Sequence, residues 1–152
     1  MIVAAVQIAP DLVFELMEEL QLVVVCQTAT NPSDVEWRAY VAAVKAFAAR
    51  HDRLRFLVMT DGGHPNAKQQ AYVGAELGAV RWPAAIVSAS VALRFVAAAL
   101  NLFNSEIKCF SPLRCDEAFA HIELSFPERQ RVEAMVERLY TRLARPSAHA
   151  SS

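Results

Sequence analysis

The segment VMTDGGHPNAKQQ, residues 58–70, concentrates more chemistry than any other part of the chain: a threonine, an aspartate, adjacent glycines, a histidine and a lysine. A phosphate cradle needs several backbone N–H groups aimed at one point, supplied in the known forms by G-x-G-x-x-G or G-x-x-x-x-G-K-[ST]. Here only Gly62 and Gly63 are adjacent, and Lys68 lacks a following Ser or Thr for a magnesium ion. A tight turn explains the same residues more simply, because glycine permits positive φ and Asp61 can hydrogen-bond nearby backbone. His64 could titrate near neutral pH, although a solvated loop or cap histidine is the plainer reading.

Position keeps a binding role in view. In open α/β sheets, ligands gather beyond the carboxyl ends of the strands. That edge should carry Thr60, Asp61, Gly62, Gly63, His64 and Asn66, joined by Ser88 and Ser90 from the next strand exit. Helices starting near Pro65 and Val91 would point their positive ends at a small anion held there.

Other residue sets make weaker offers. The histidines at 51, 64, 121 and 149 form no H-x3-H or H-E-x-x-H pattern, so no metal is expected. Cys26, Cys109 and Cys115 are an odd set without C-x-x-C spacing and read as buried thiols. Cys109, Asp116 and His121 could be spatial neighbours, but a thiol inside a strand is more often core than nucleophile. No G-x-S-x-G elbow is present, no motif asks for a cofactor, and no pair of carboxylates stands out as catalytic.

The elements that must position these groups follow from periodicity. LVFELMEE (12–19) and LVVVCQT (22–28) read as a β-hairpin turning near 19–21, with a helix as the alternative for the first run. Ser33 and Glu36 form a capping box ahead of a helix over 34–50, whose apolar positions Trp37, Tyr40, Val41, Val44 and Phe47 share a face. LRFLVM (54–59) is a strand covered on both faces. A helix over 65–77 ends at Gly78 in a left-handed conformation. A strand follows at 84–89, then a helix over 91–103 that is apolar almost all round, a strand at 106–110 and a short helix over 115–124. Ser125, Pro127 and Glu128 open a last helix over 127–143. Strands alternating with helices predict a mostly parallel sheet with right-handed crossovers.

The totals agree with a single domain over 1–145 and a disordered tail at 146–152. A chain of 152 residues can bury roughly 70% of its unfolded surface. With 55% apolar and 20% charged residues it is globular, and a net charge of -1 argues against nucleic acid as a partner. The segment 83–103 is broken by Ser88, Ser90, Arg94 and Asn101, so no integral membrane segment is expected and the location reads as cytoplasmic.

Three stretches carry a resemblance: ARHDRLRFLVMTD (49–61), AAIVSASVALRFVAAALNLF (84–103) and KCFSPLRCDEAFAHIEL (108–124). Over 46–124 the chain resembles the SpoIIAA-like family, whose fold is that of the STAS domain and is related in shape to the lipid-carrying SEC14 domains. The resemblance implies an α/β fold with a mixed sheet of about five strands, an N-terminal hairpin followed by parallel strands, packed helices and here an extra C-terminal helix. It implies a non-catalytic regulatory or protein-interaction module. In anti-sigma antagonists of the group, a serine at the start of the helix after the third strand is phosphorylated. Asp61, Gly62, Gly63 and His64 occupy the matching positions here, and no serine lies between Thr60 and Gly78, so that switch is not expected.

On this reading the partner is another protein or a second copy in a homodimer, with Phe95, Leu139, Tyr140 and Leu143 as the interface and residues 60–66, Ser88 and Ser90 as the contact loop. The alternative is a carrier of a small apolar or lipid-like ligand in a pocket beneath helix 91–103. An enzyme working at the strand ends ranks below both.

Overall fold

Two reciprocal hydrogen bonds fix where the first helix begins. Ser33 Oγ accepts from the Glu36 N–H at 3.1 Å, and the Glu36 carboxylate accepts from the Ser33 N–H at 2.9 Å. In the computed structural model, which describes residues 9–78, 81–94 and 106–144, helix α1 then runs Asp34–Arg50, the span expected from the sequence. The same device recurs. Asn66 and Gln69 cap α2 (Ala67–Leu77), which therefore starts after Pro65 rather than at it. Ser125 and Glu128 cap the last helix, Phe126–Tyr140, here α4. Between them α3 (Cys115–His121) continues from a 3-10 turn at Pro112–Arg114.

Ser90 opens a helical turn at 91–94 by accepting from the Leu93 N–H at 3.2 Å. The remainder of the helix expected over 91–103, and the tail expected over 146–152, lie outside the described residues. Gly78 does take a positive φ, +74°, but its ψ of -166° departs from the left-handed helical region expected of it.

Five strands make one sheet in the order β1 (Leu12–Met17), β2 (Leu22–Gln27), β3 (Arg55–Thr60), β4 (Ala84–Val87), β5 (Ile107–Phe110). β1 is antiparallel to β2, and the other pairs are parallel. LVFELM is thus a strand despite its helix-favouring Leu, Met and Glu, because pairing from Leu12↔Gln27 to Met17↔Leu22 outweighs intrinsic propensity. A 3-10 turn at Glu18–Leu20 and a left-handed Gln21 (φ +49°) close the hairpin. β3 is interior, with parallel neighbours on both sides.

The chain steps across the sheet in one direction from β2 to β5, so right-handed crossovers place α1, α2 and the turn at 91–94 on one face. Alternation along β2 divides the core. Val23 and Val25 pack with Trp37, Val41, Val44 and Phe47 of α1. Leu22, Val24 and Cys26 pack with Phe119 and Ile122 near α3 and with Val132 and Leu139 of α4. Every residue of β2 is buried.

Two polar junctions tie the layers. The Arg55 guanidinium donates to the carbonyls of Ile122 (3.0 Å), Glu123 (3.3 Å) and Leu20, joining the hairpin turn to the end of α3. The backbone N–H of Ala144 donates to the Pro10 carbonyl at 2.7 Å. Among the described residues, no helix is long and apolar enough to cross a membrane.

Candidate ligand-binding site

The even-numbered residues of β3 and β4 and the odd-numbered residues of β2 face the α1–α2 layer, and there sheet and helices do not close completely. A cavity of about 270 Å³ remains. Its floor includes Val25 and Gln27 of β2, Phe56, Val58 and Thr60 of β3, and Ala84 and Ile86 of β4. Its roof includes Trp37, Tyr40 and Val44 of α1 with Val73 and Leu77 of α2. Trp82 stacks on Phe56 with ring centroids 5.8 Å apart and closes one side, while Leu93 contributes from the turn at 91–94.

The helices above this floor are braced against each other, which holds the space open. Trp37 Nε1 donates to the Gln69 carbonyl at 2.9 Å, and the buried Gln69 amide donates to the Pro32 carbonyl (2.9 Å) and to Asp34 Oδ1 (3.0 Å). Farther along, Lys45 pairs with Glu76 at 2.9 Å. Small Ala84 lies opposite Phe56 in the β3–β4 register and leaves room beneath.

Among the described lining residues there is no Asp, Glu, Lys or Arg. Burial pushes the Tyr40 phenol well above its usual range, so its hydroxyl stays protonated at any ordinary pH. The polar groups gather at one end, past the carboxyl ends of β2 and β3. Gln27 and Thr60 are register partners there, with His64 and Gln70 near the loop. Gln27 is only 3% exposed, and its Oε1 is buried without a hydrogen-bond donor among the described residues.

The loop between β3 and α2 is a closed turn. The Asp61 N–H donates to the Gln27 carbonyl (3.1 Å), Gly62 to Thr60 Oγ1 (3.1 Å), Gly63 to the Thr28 carbonyl (2.9 Å) and His64 to Asn31 Oδ1 (3.0 Å). These consecutive amides, the ones a phosphate cradle would use, are all engaged by the protein. The Thr60 hydroxyl, rather than the Asp61 carboxylate, closes the turn by also donating to the Gly63 carbonyl at 2.6 Å. Gly62 uses its freedom at φ +132°, and Gly63 is needed for close approach to the backbone at 28–30.

The structure brings most of the expected loop residues to one edge and separates their tasks. Thr60, Gly63 and His64 line the cavity. Asp61 instead lines a separate pocket on the α4 side with Asp11, Thr28 and Tyr140. Asn66 caps α2. Ser88 is buried and its Oγ accepts from the Ser90 N–H at 3.1 Å, while Ser90 caps the next helical turn.

The expected interface divides differently. Leu139 (1% exposed) and Leu143 (5%) are packed against the sheet by their own chain, and Tyr140 is half-buried beside them, so this stripe is core rather than open surface. Phe95 lies outside the described residues.

Cys109 and His121 lie on opposite faces of the sheet. Cys109 shares its face of β5 with the cavity-lining Ile107, whereas His121 rests against Phe110 with centroids 5.9 Å apart and bonds the Glu106 carbonyl at 2.7 Å. Burial raises the Cys109 thiol above its normal range despite nearby Arg94. Burial, with the Asp61 charge, pushes Cys26 up to about 12. Neither is an activated nucleophile. Among the described residues, no group of His, Cys, Asp or Glu could hold a metal ion.

No family model, no curated protein and no solved structure matches the chain. Sequence reasoning missed Gln27, Trp37, Tyr40, Val73 and Trp82 as its walls. One signal was present: Gln27 follows Val23 and Val25 on a strand face that the hydrophobic pattern marks as buried, and a lone amide there needs a partner.

Proposed function

We propose that this protein is a non-catalytic ligand-binding module that holds one small, largely apolar molecule between the sheet and helices α1 and α2. The observation that carries this reading is the cavity of about 270 Å³, whose described walls bear no carboxylate, ammonium or guanidinium group. Concave apolar sites with a few convergent polar groups are where small molecules bind. Its polar end lies past the strand carboxyl ends, where open α/β sheets bind ligands. The hydroxyls of Thr60, Ser88 and Ser90 serve the backbone of their own loops, which favours holding a molecule over transforming it.

The resemblance to SpoIIAA-like proteins fits a regulatory use of such a site, with ligand occupancy taking the place of a phosphoserine. A partner surface along the last helix finds less support, since Leu139 and Leu143 are buried. The size also argues for a compact ligand. At about 270 Å³ the cavity falls just below the roughly 300–1,000 Å³ of drug-sized sites, too small to enclose a two-chain lipid.

Native mass spectrometry of the purified protein tests the reading. The expected result is a stoichiometric adduct, lost on denaturation, or its reappearance after delipidation when small apolar compounds are added. A protein that carries no adduct and takes up none would overturn it.

A further inference from the structure

The Gln27 side chain presents an unmet demand. It is 97% removed from solvent by the fold, it lines the cavity, and its Oε1 meets no donor among the described residues. An unsatisfied buried acceptor is costly and uncommon in native structures. Nearby groups do not relieve it. The Thr60 hydroxyl is committed to the Gly63 carbonyl, and His64 Nδ1 bonds the Pro65 carbonyl at 3.0 Å. We infer that the occupant of this cavity is a neutral amphiphile whose hydroxyl group pairs with the Gln27 amide while its apolar body lies between Trp37, Tyr40, Phe56 and Trp82. This rests on the ligand-binding reading above and adds the chemical class of the ligand.

Three features narrow that class. A hydroxyl can donate, which is what the unpartnered Oε1 of Gln27 requires. A carboxylate would enter a site whose described walls offer no cation to pair with it, apart from a histidine near the loop, and would lose its hydration there. Volume sets the length. The cavity of about 270 Å³ is not quite twice the roughly 150 Å³ that accommodates a benzene, which suits about ten to twelve non-hydrogen atoms. The structure thus assigns a medium-chain alcohol or a compact cyclic alcohol, with its polar head at the carboxyl ends of β2 and β3.

The protein carries its own reporter, since both of its tryptophans, Trp37 and Trp82, line the cavity. Delipidated protein is titrated with 1-nonanol, with the methyl ether of nonanol and with nonanoate, following tryptophan fluorescence. Nonanol should bind at least about tenfold more tightly than the ether, which lacks the donor, and more tightly than nonanoate.

Gln27→Met keeps the length of the side chain and removes its amide. It should bring nonanol and the ether within about twofold of each other and raise the melting temperature of the ligand-free protein, which a purely structural glutamine would not do. Gln27→Leu is a second variant of the same sense. If no probe perturbs the fluorescence of the unsubstituted protein, the cavity reading falls and this inference with it. If the ether binds as well as nonanol, the cavity reading stands and the role of Gln27 is overturned. Tighter binding of nonanoate, or a nonanol preference that survives in a folded Gln27 variant, overturns it too.

Discussion

A methyl group at position 63 would approach the Thr28 carbonyl oxygen to 2.6 Å and collide with that of Thr30, both of them backbone atoms that cannot swing aside. Gly63→Ala should therefore cost about 1–3 kcal/mol, read as a lowered urea midpoint with unchanged m-value. Gly62, by contrast, is held by its backbone conformation. The glycine pair was visible in the sequence as a turn, but the need at Gly63 was not, because residues 28–30 reach it only through the β2–β3 pairing. Glu36 presents a second residue-scale case. Burial would raise its pKa, yet the N–H groups of Ser33, Leu12 and Asp11 and the Ser33 hydroxyl outweigh burial and hold it below its normal 4.5. A depressed carboxylate stabilises the fold fully above the unfolded pKa, and that contribution is lost as pH falls through the lower folded value. Glu36→Gln should cost about 1–2 kcal/mol at pH 7, and the deficit should shrink when unfolding is followed below pH 4.5.

At the scale of elements, signals complete within a few residues are legible in the sequence. Ser33 with Glu36 and Ser125 with Glu128 announce helix starts because a capping box is complete within four residues. Asn66 with Gln69 is the same signal, and it sets the start of α2 after Pro65 rather than at it. The hairpin followed from the β-branched run at 22–28, and the interior position of β3 from the nearly continuous apolar run at 54–59, and the sheet confirms both. Helix α4 shows where locality ends. An apolar stripe in sequence does not say whether its cover comes from the same chain or another. Here the stripe meets β1 and β2, and it closes the second core around Leu22, Val24 and Cys26. Leu139→Glu would bury an unpaired carboxylate and should unfold the domain, seen as loss of the far-UV circular dichroism signal. A folded, merely monomeric protein would instead mark that stripe as an interface.

The cavity belongs to the whole molecule. No segment contains it, since its walls are single faces of β2, β3, β4, α1 and α2 that meet only after folding, and this is why the sequence could place a site at the strand ends but could not give its floor or roof. Filling it should be tolerated where the space already exists. Val73→Phe should leave the circular dichroism spectrum intact and remove the rise in melting temperature that a bound apolar compound produces. In the unsubstituted protein that stabilisation should be about 2.7 kcal/mol at a ligand concentration one hundred times Kd.

The hydrogen bond from Ala144 to Pro10 brings the two ends of the described core to a single point. A domain whose chain enters and leaves at one place can be spliced into a surface loop of a host protein without being pulled apart, or cut open elsewhere and rejoined there by a short linker. Circular permutants opened in the exposed turn at Pro112–Arg114 would preserve the pairings of all five strands.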